Sequence, residues 1–252
     1  MSRYRITIEY DGAAYRGWQR QDRHPTIQLA IESALETICG STVLVTGSGR
    51  TDTGVNARGQ IAHFDLEASI DAGVLINSLN AVTPHDIAII ALAETRPDFH
   101  ARYDARSRSY RYHVSTAARA LDRNWRVRVP RRVDFLRMNR SARPLLGEHD
   151  FSSFCRSRST TTNRVCTVTG AEWAAETRDG DWCFSIEADR FLHGMVRAIV
   201  GTLLQVGLGR LPEGCIPGIL AQRDRTAAGE AARARGLVLQ EVRYDRADSR
   251  DE

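Results

Sequence analysis

Residues 47–55 read GSGRTDTGV, a glycine-flanked run with an arginine, Arg50, two positions before an aspartate, Asp52. A carboxylate in such a loop can act as a nucleophile, act as a general base, or merely cap a turn. Asp52-Thr53-Gly54 is also the tripeptide with which aspartic proteases hold a catalytic carboxylate. That chemistry needs two carboxylates sharing one proton, and neither a second Asp-Thr-Gly nor an Asp-Ser-Gly occurs in the chain. Gly47-Ser48-Gly49 suggests a phosphate cradle, but all 35 basic residues are arginine. A chain without lysine cannot be a phosphate-loop NTPase, form a Schiff base, or use a lysine base. The glycine spacing does not fit a dinucleotide loop either. What remains is a single aspartate beside an arginine.

Other residues with chemical potential lie further on. Residues 96–143 hold 14 arginines against four acids, a balance of +10, while the rest of the chain carries −6 and the whole +4. A polyanion partner fits this asymmetry, and arginine suits bidentate contact with phosphate; a solvated basic face is the competing explanation. Tyr110 and Tyr112 share one face of a strand by period two, so alternation does not separate them. In a helix over 191–206, Leu192, Met195, Val196, Ile199, Val200 and Leu203 form one apolar stripe, with Arg197 on the other side near His193 and Gly201. Gly194 and Gly201 each weaken that helix by about 1 kcal/mol relative to alanine, which suggests that another backbone or a ligand comes close there. An exposed arginine on an amphipathic helix would need neither.

These residues need elements to position them. Strands are expected over 3–10, 42–46, 60–66, 109–115, 160–174, 182–188 and 237–244, with a buried strand over 86–92. Thr26 reads as the cap of a helix that carries Ile27, Ala30, Ile31, Ala34, Leu35 and Ile38 at helical spacing and stops at Gly40. Further helices are expected over 71–79 and 134–146. The mixture in both halves argues for α/β or α+β layers, with a boundary where arginine takes over: an N-terminal half over 1–104, a C-terminal half over 105–246, and a polar tail over 247–252.

The five cysteines are scattered, with no pair two residues apart, so no zinc ribbon or redox pair is expected. No run of about 18 apolar residues suggests a membrane span. The opening MSRYRITIEYDG lacks the apolar core of a secretory signal. A cytoplasmic protein with reduced thiols is the expectation.

The stretch GSGRTDTGVNARGQIAHF resembles the signature of the tRNA pseudouridine synthase A family, Gly-Arg-Thr-Asp-(Ala)-Gly-Val-(His)-Ala followed by Gln and a strand. Other segments agree in order: YDGAAYRGWQRQ (10–21), TIQLAIESAL (26–35), LNAVTPHDIAI (79–89), FHARYDARSRSYRYHV (99–114), GEHDFSSF (147–154), FLHGMVRAIVGTLLQVG (191–207) and ARGLVLQEVRY (234–244). The resemblance spans nearly the whole chain. Its departures are Thr53 for alanine, Asn56 for histidine, Gly194 for a larger residue, and no proline before the last strand.

The resemblance implies two similar α/β halves whose mixed sheets join, with a basic active-site cleft between them, in a homodimer that grips tRNA. It implies isomerisation of uridines 38, 39 and 40 of the anticodon stem-loop to pseudouridine, with no cofactor and no metal. Asp52 matches the family's nucleophile, and Arg197 matches the arginine that pairs with it and keeps it ionised. Tyr110 matches the tyrosine that stacks on the uracil, and its hydroxyl is placed to take the proton from C5. Arg50 matches the arginine that holds the target nucleotide out of the stack. A tRNA-binding protein on this fold without catalysis is the alternative, disfavoured because Asp52, Tyr110 and Arg197 are all present.

Overall fold

The computed structural model describes residues 1–245; the polar tail expected at 247–252 lies outside the described residues. Two compact units emerge, Met1–Arg106 together with the segment from Leu239 onward, and Ser107–Val238 between them in sequence.

The first unit is built on β1 (Ser2–Tyr10), in which Tyr4, Ile6, Ile8 and Tyr10 alternate into the core. Strand β1 pairs antiparallel with β3 (Asn56–Leu66) on one side and β4 (Ile87–Thr95) on the other. The short β2 (Thr46–Gly47) pairs with β3, and β10 (Leu237–Arg243) follows β3 in the strand order. Helix α1 (Ile27–Cys39) begins where Thr26 is extended and its hydroxyl accepts from the Leu29 N–H; Gly40 ends it. Helix α2 (Ala72–Val82) is capped by Asp71. The two helices bury Ile27, Ile31, Ala34, Leu35, Leu75 and Leu79, and each large aliphatic among them contributes about 1.5–3 kcal/mol.

Two expectations need correction here. Residues 42–45 are not a strand. Val43 and Val45 point into the core, but the Val45 N–H donates to Glu32 Oε1 (3.1 Å) and its carbonyl accepts from Gln28 Nε2 (3.0 Å). Side chains of α1 thus do the work of a neighbouring strand. Strand β4 is outermost in its unit's order, and Ile90 is 54% exposed, so the apolar run over 86–92 is buried on one face only.

The second unit orders its strands as β5 (Ser107–Ser115), β9 (Asp181–Ala188), β8 (Val165–Ala175) and β7 (Gly147–Asp150), with β6 (Val127–Arg128) parallel beside β5. Helix α3 (Phe135–Ala142), capped by Asp134, stacks Phe135 on Trp182 at 4.2 Å and 4°. A tighter turn, Arg143–Leu145, follows where Pro144 interrupts the helical pattern. Helices α4 (Met195–Gly207) and α5 (Cys215–Gln222) complete the unit. Helix α4 starts four residues later than its apolar pattern suggests, because Gly194 at its cap has φ 74°, a conformation that ends helical continuity.

Strands and helices mix in both units, as an α/β class requires. Among the described residues no helix is long and apolar enough to cross a membrane.

Candidate active site

The loop bearing Asp52 is clamped from both sides. The Trp18 N–H donates to the Thr51 carbonyl (3.1 Å), and the Gly54 N–H donates to that of Tyr15 (3.3 Å). The Asn56 side chain accepts from the Gly12 N–H (2.8 Å). The Tyr10 and Thr51 hydroxyls are bonded at 2.8 Å. From β3, Gln60 accepts from Ser48 Oγ (2.7 Å) and donates to the Gly49 carbonyl (3.1 Å). Ser48, Thr51, Asn56 and Gln60 are all buried, so these bonds are shielded from water. Burial pushes the Tyr10 phenol up to about 12 despite its bonds to Thr51 and Gln60, so it stays protonated.

Close packing completes the clamp. A Cβ at Gly12 would sit 2.1 Å from the Val55 carbonyl oxygen. At Gly17, with φ 88°, it would sit 2.4 Å from the Thr51 oxygen. Segment 10–18 therefore lies directly on the backbone of the aspartate loop. Between these fixed points Asp52 is half-buried and Arg50 is exposed. A turn closed by the Val55 N–H on the Asp52 carbonyl (3.1 Å) sets the aspartate's backbone. The loop thus presents a carboxylate and a guanidinium from a backbone with little freedom to retreat.

In the second unit the two tyrosines separate. Tyr112 is fully buried, and its hydroxyl donates to the Arg233 carbonyl (2.9 Å). Tyr110 is half-buried and meets the Phe191 ring edge-on at 5.1 Å and 88°. Burial pushes the Tyr112 phenol up against the pull of three nearby cationic charges, Arg197, Arg235 and Arg233. That pull marks a concentration of positive charge that composition alone did not locate.

Arg197, half-buried on α4, is held by a strap of chain that crosses its helix. Its Nε donates to the Ala232 carbonyl (2.8 Å), and the Ala232 N–H donates back to the Arg197 carbonyl (2.8 Å). The Gly229 N–H donates to Thr202 Oγ1 (2.9 Å). A Cβ at Gly201 would lie 1.7 Å from the Glu230 oxygen. The close approach expected at Gly201 is therefore a backbone, whereas Gly194 has open space around it and is needed for its φ.

Of the four expected site residues, Arg50 and Asp52 share one loop of the first unit, and Tyr110 and Arg197 belong to the second. The supporting residues Gly12 and Gly17, and the arginines Arg233 and Arg235, were not singled out from the sequence, while Asn56 stood out only as a departure from the family pattern and Gln60 only as part of it. The first two lie inside YDGAAYRGWQRQ, and glycines within a recurring motif were the available signal. Among the described residues, His113, Glu176 and Cys183 place potential metal-ligating atoms within 4.8 Å of one another. The Glu176 carboxylate is already shared between His113 Nδ1 (3.1 Å) and the Arg126 guanidinium.

The profile of the tRNA pseudouridine synthase family matches residues 6–104 and 142–245. These stretches include Arg50, Asp52 and Arg197 and omit the segment with Tyr110. The tRNA pseudouridine synthase A of Bacteroides thetaiotaomicron is 42% identical over 245 residues, covering 97% of this chain and 91% of that protein. That of Rhodospirillum rubrum is 43% identical over 248 residues, covering 97% and 88%. That of Acetivibrio thermocellus is 42% identical over 246 residues, covering 97% and 100%.

Proposed function

The chain belongs to the tRNA pseudouridine synthase family, whose members are isomerases, and from that premise we propose that it converts uridines 38, 39 and 40 of the tRNA anticodon stem-loop to pseudouridine with Asp52 as nucleophile and no cofactor. The observation that carries this reading is the clamped loop. It fixes one half-buried carboxylate beside one exposed guanidinium, with no second carboxylate motif to share a proton.

The reaction breaks the C1′–N1 bond of uridine and makes a C1′–C5 bond; C5 then loses its proton and N1 gains one, so the isomerisation is proton-neutral. Attack by the carboxylate on the uracil ring and attack on ribose C1′ both need an ionised Asp52, and both need the nucleotide lifted from the helical stack. Arg50, exposed two residues from the nucleophile, takes the place of the lifted nucleotide. By the family resemblance, Arg197 is the arginine that pairs with this aspartate. Tyr110 stacks on the uracil with its half-buried ring and accepts the C5 proton at its hydroxyl. Tyr112 is unsuited to that task, because its hydroxyl is committed to the Arg233 carbonyl. The family resemblance extends the reading to a homodimer, which sedimentation equilibrium checks.

The test uses unmodified tRNA without metal or nucleotide, after magnesium-dependent folding, and maps pseudouridine by carbodiimide-dependent reverse-transcription stops. The wild-type protein is expected to modify the three anticodon-stem positions. Asp52→Ala is expected to lose turnover while keeping tRNA affinity within a few-fold, because phosphate contacts supply most of that affinity. Stops elsewhere would overturn the positional reading. Near-normal turnover by Asp52→Ala would overturn the nucleophile, and binding without conversion by the wild type would leave only the RNA-binding part.

A further inference from the structure

The arginines of residues 96–143 differ in what their side chains meet. Many are spent inside the protein. Arg119 donates from Nε to Asp181 Oδ1 (3.1 Å) and from Nη2 to the Asp179 carbonyl (2.6 Å). Arg126 pairs with Glu176 and lies 3.6 Å from Asp181 Oδ2. Arg137 and Arg140 share Glu213. Arg96 pairs with Asp98 (2.8 Å) and Asp104 (2.6 Å), and Arg106 pairs with Asp245 (2.6 Å). Asp181 is 1% exposed, so pulling its guanidinium partners toward an outside anion would strand a buried carboxylate.

A second group is presented outward. The run Val127-Arg128-Val129-Pro130-Arg131-Arg132-Val133 alternates anchors and charges. Val127, Val129 and Val133 are buried, while Arg128, Arg131 and Arg132 are exposed. The backbone is pinned by the parallel pairing Ser115↔Arg128, by the Val129 N–H on the Ser115 carbonyl (2.8 Å), and by a turn closed from Val133 to Pro130 (3.2 Å). Among the described residues these three guanidinium groups make no hydrogen bond or ion pair. Arg128 and Arg131, with Thr116, Val129 and Pro130, line an open depression of about 350 Å³. The nearest acid in sequence, Asp134, is occupied in capping α3 through the Arg137 N–H (2.9 Å).

We propose that Arg128, Arg131 and Arg132 form a docking surface for the RNA phosphodiester backbone, and that the internally paired arginines take no part in it. This rests on the reading of the chain as a tRNA-modifying enzyme and narrows a broad basic stretch to one rigid ridge. Guanidinium groups on a pinned backbone lose little freedom when they meet phosphate, and they displace no internal partner.

The experiment compares two doubles of equal charge change, Arg131→Gln/Arg132→Gln and Arg106→Gln/Arg140→Gln, by filter binding of unmodified tRNA across salt concentrations. The first is expected to lower the magnitude of the log K against log[salt] slope by about 2 and to weaken binding about 30-fold near 0.15 M salt. The second is expected to leave the slope unchanged and the affinity within about threefold, because its arginines are already neutralised. Thermal melts report folding of each. Equal losses in both doubles would show a diffuse charge effect and overturn the ridge, as would no loss in the first. A wild-type protein that modifies uridine while the ridge double binds normally would sink this proposal alone. A wild-type protein that binds through the ridge but makes no pseudouridine would sink the isomerase reading instead.

Discussion

The aspartate loop over 47–55 and the arginine segment over 116–133 face the same task by opposite means. Each must hold charged side chains toward solvent on an irregular backbone. The loop is fixed by neutral groups: carbonyls, amides, buried hydroxyls and the bare backbone of Gly12 and Gly17. The segment adds charge to its backbone pairing, with Asp181 and Glu176 gripping Arg119 and Arg126. Neutral close packing is indifferent to salt and to carboxylate titration but intolerant of one extra methyl group. Ion pairing forgives shape and depends on charge. In its proposed role, Asp52 gains from a support that does not itself titrate.

The sharpest way to break this comparison is steric. Gly17→Ala puts a Cβ 2.4 Å from the Thr51 oxygen at a φ of 88°. Single-turnover conversion is expected to fall at least about 1,000-fold, equivalent to roughly 4 kcal/mol. Gly49, in the same loop, has nothing within 4 Å of its would-be Cβ, so Gly49→Ala should stay within about threefold of wild type. Similar losses in both would mean that the clamp is not what positions Asp52.

Next in size is the charge support. Burial pushes the Asp181 carboxyl up, but bonds from Ser115 and Arg119 and the charges of Arg126 and Arg119 outweigh it, so its pKa lies below the ordinary value. Asp181→Asn leaves two guanidinium groups under-paired and should cost about 3 kcal/mol in urea denaturation. A change below about 0.5 kcal/mol would show that the segment is held by packing alone.

The smallest effect separates the units by pH. Asp181 is depressed, so its contribution is complete above the unfolded carboxylate value and is lost only as pH falls below about 3.8. His63, buried on β3, is lowered from 6.5 to about 4, chiefly by burial and further by the charges of Arg3 and His100. In that range the unfolded chain binds the proton and the folded one does not, so stability is full above 6.5 and falls as pH drops toward 4. Amide exchange should therefore show the first unit loosening by about 2 kcal/mol between pH 6.5 and 4 while the second holds. His63→Gln should flatten that slope; an unchanged slope would assign it to other groups.

Much of this was legible in the sequence because it depends on local pattern. Thr26 and Gly40 bound α1 as a capping residue and a helix-ending glycine should, and the alternation of Tyr4, Ile6, Ile8 and Tyr10 gives β1 directly. The illegible parts depend on partners distant in sequence. Nothing in Val43-Leu44-Val45 says that a helix glutamate will take the place of a strand, and the apolar stripe from Leu192 says nothing about the φ of Gly194. Counting charges found the basic stretch but could not say which arginines Asp181, Glu176 and Glu213 would claim. Likewise, alternation put Tyr110 and Tyr112 on one face, and burial together with the Arg233 carbonyl tells them apart.

The division of the chain carries a consequence for how the protein is made. The first unit takes its last strand from residues beyond Leu239, on the far side of the whole second unit in sequence. On a ribosome adding roughly 5–20 residues per second, Met1–Arg106 emerges many seconds before the strand that completes it. During that interval the edge of β3 around Gly59, where the Gln240 backbone later packs, stands open to any other extended chain. The continuous second unit needs no such delay and can finish first. The unit that carries the Asp52 loop is thus the last to be sealed, and its vulnerable period is set by the speed of translation.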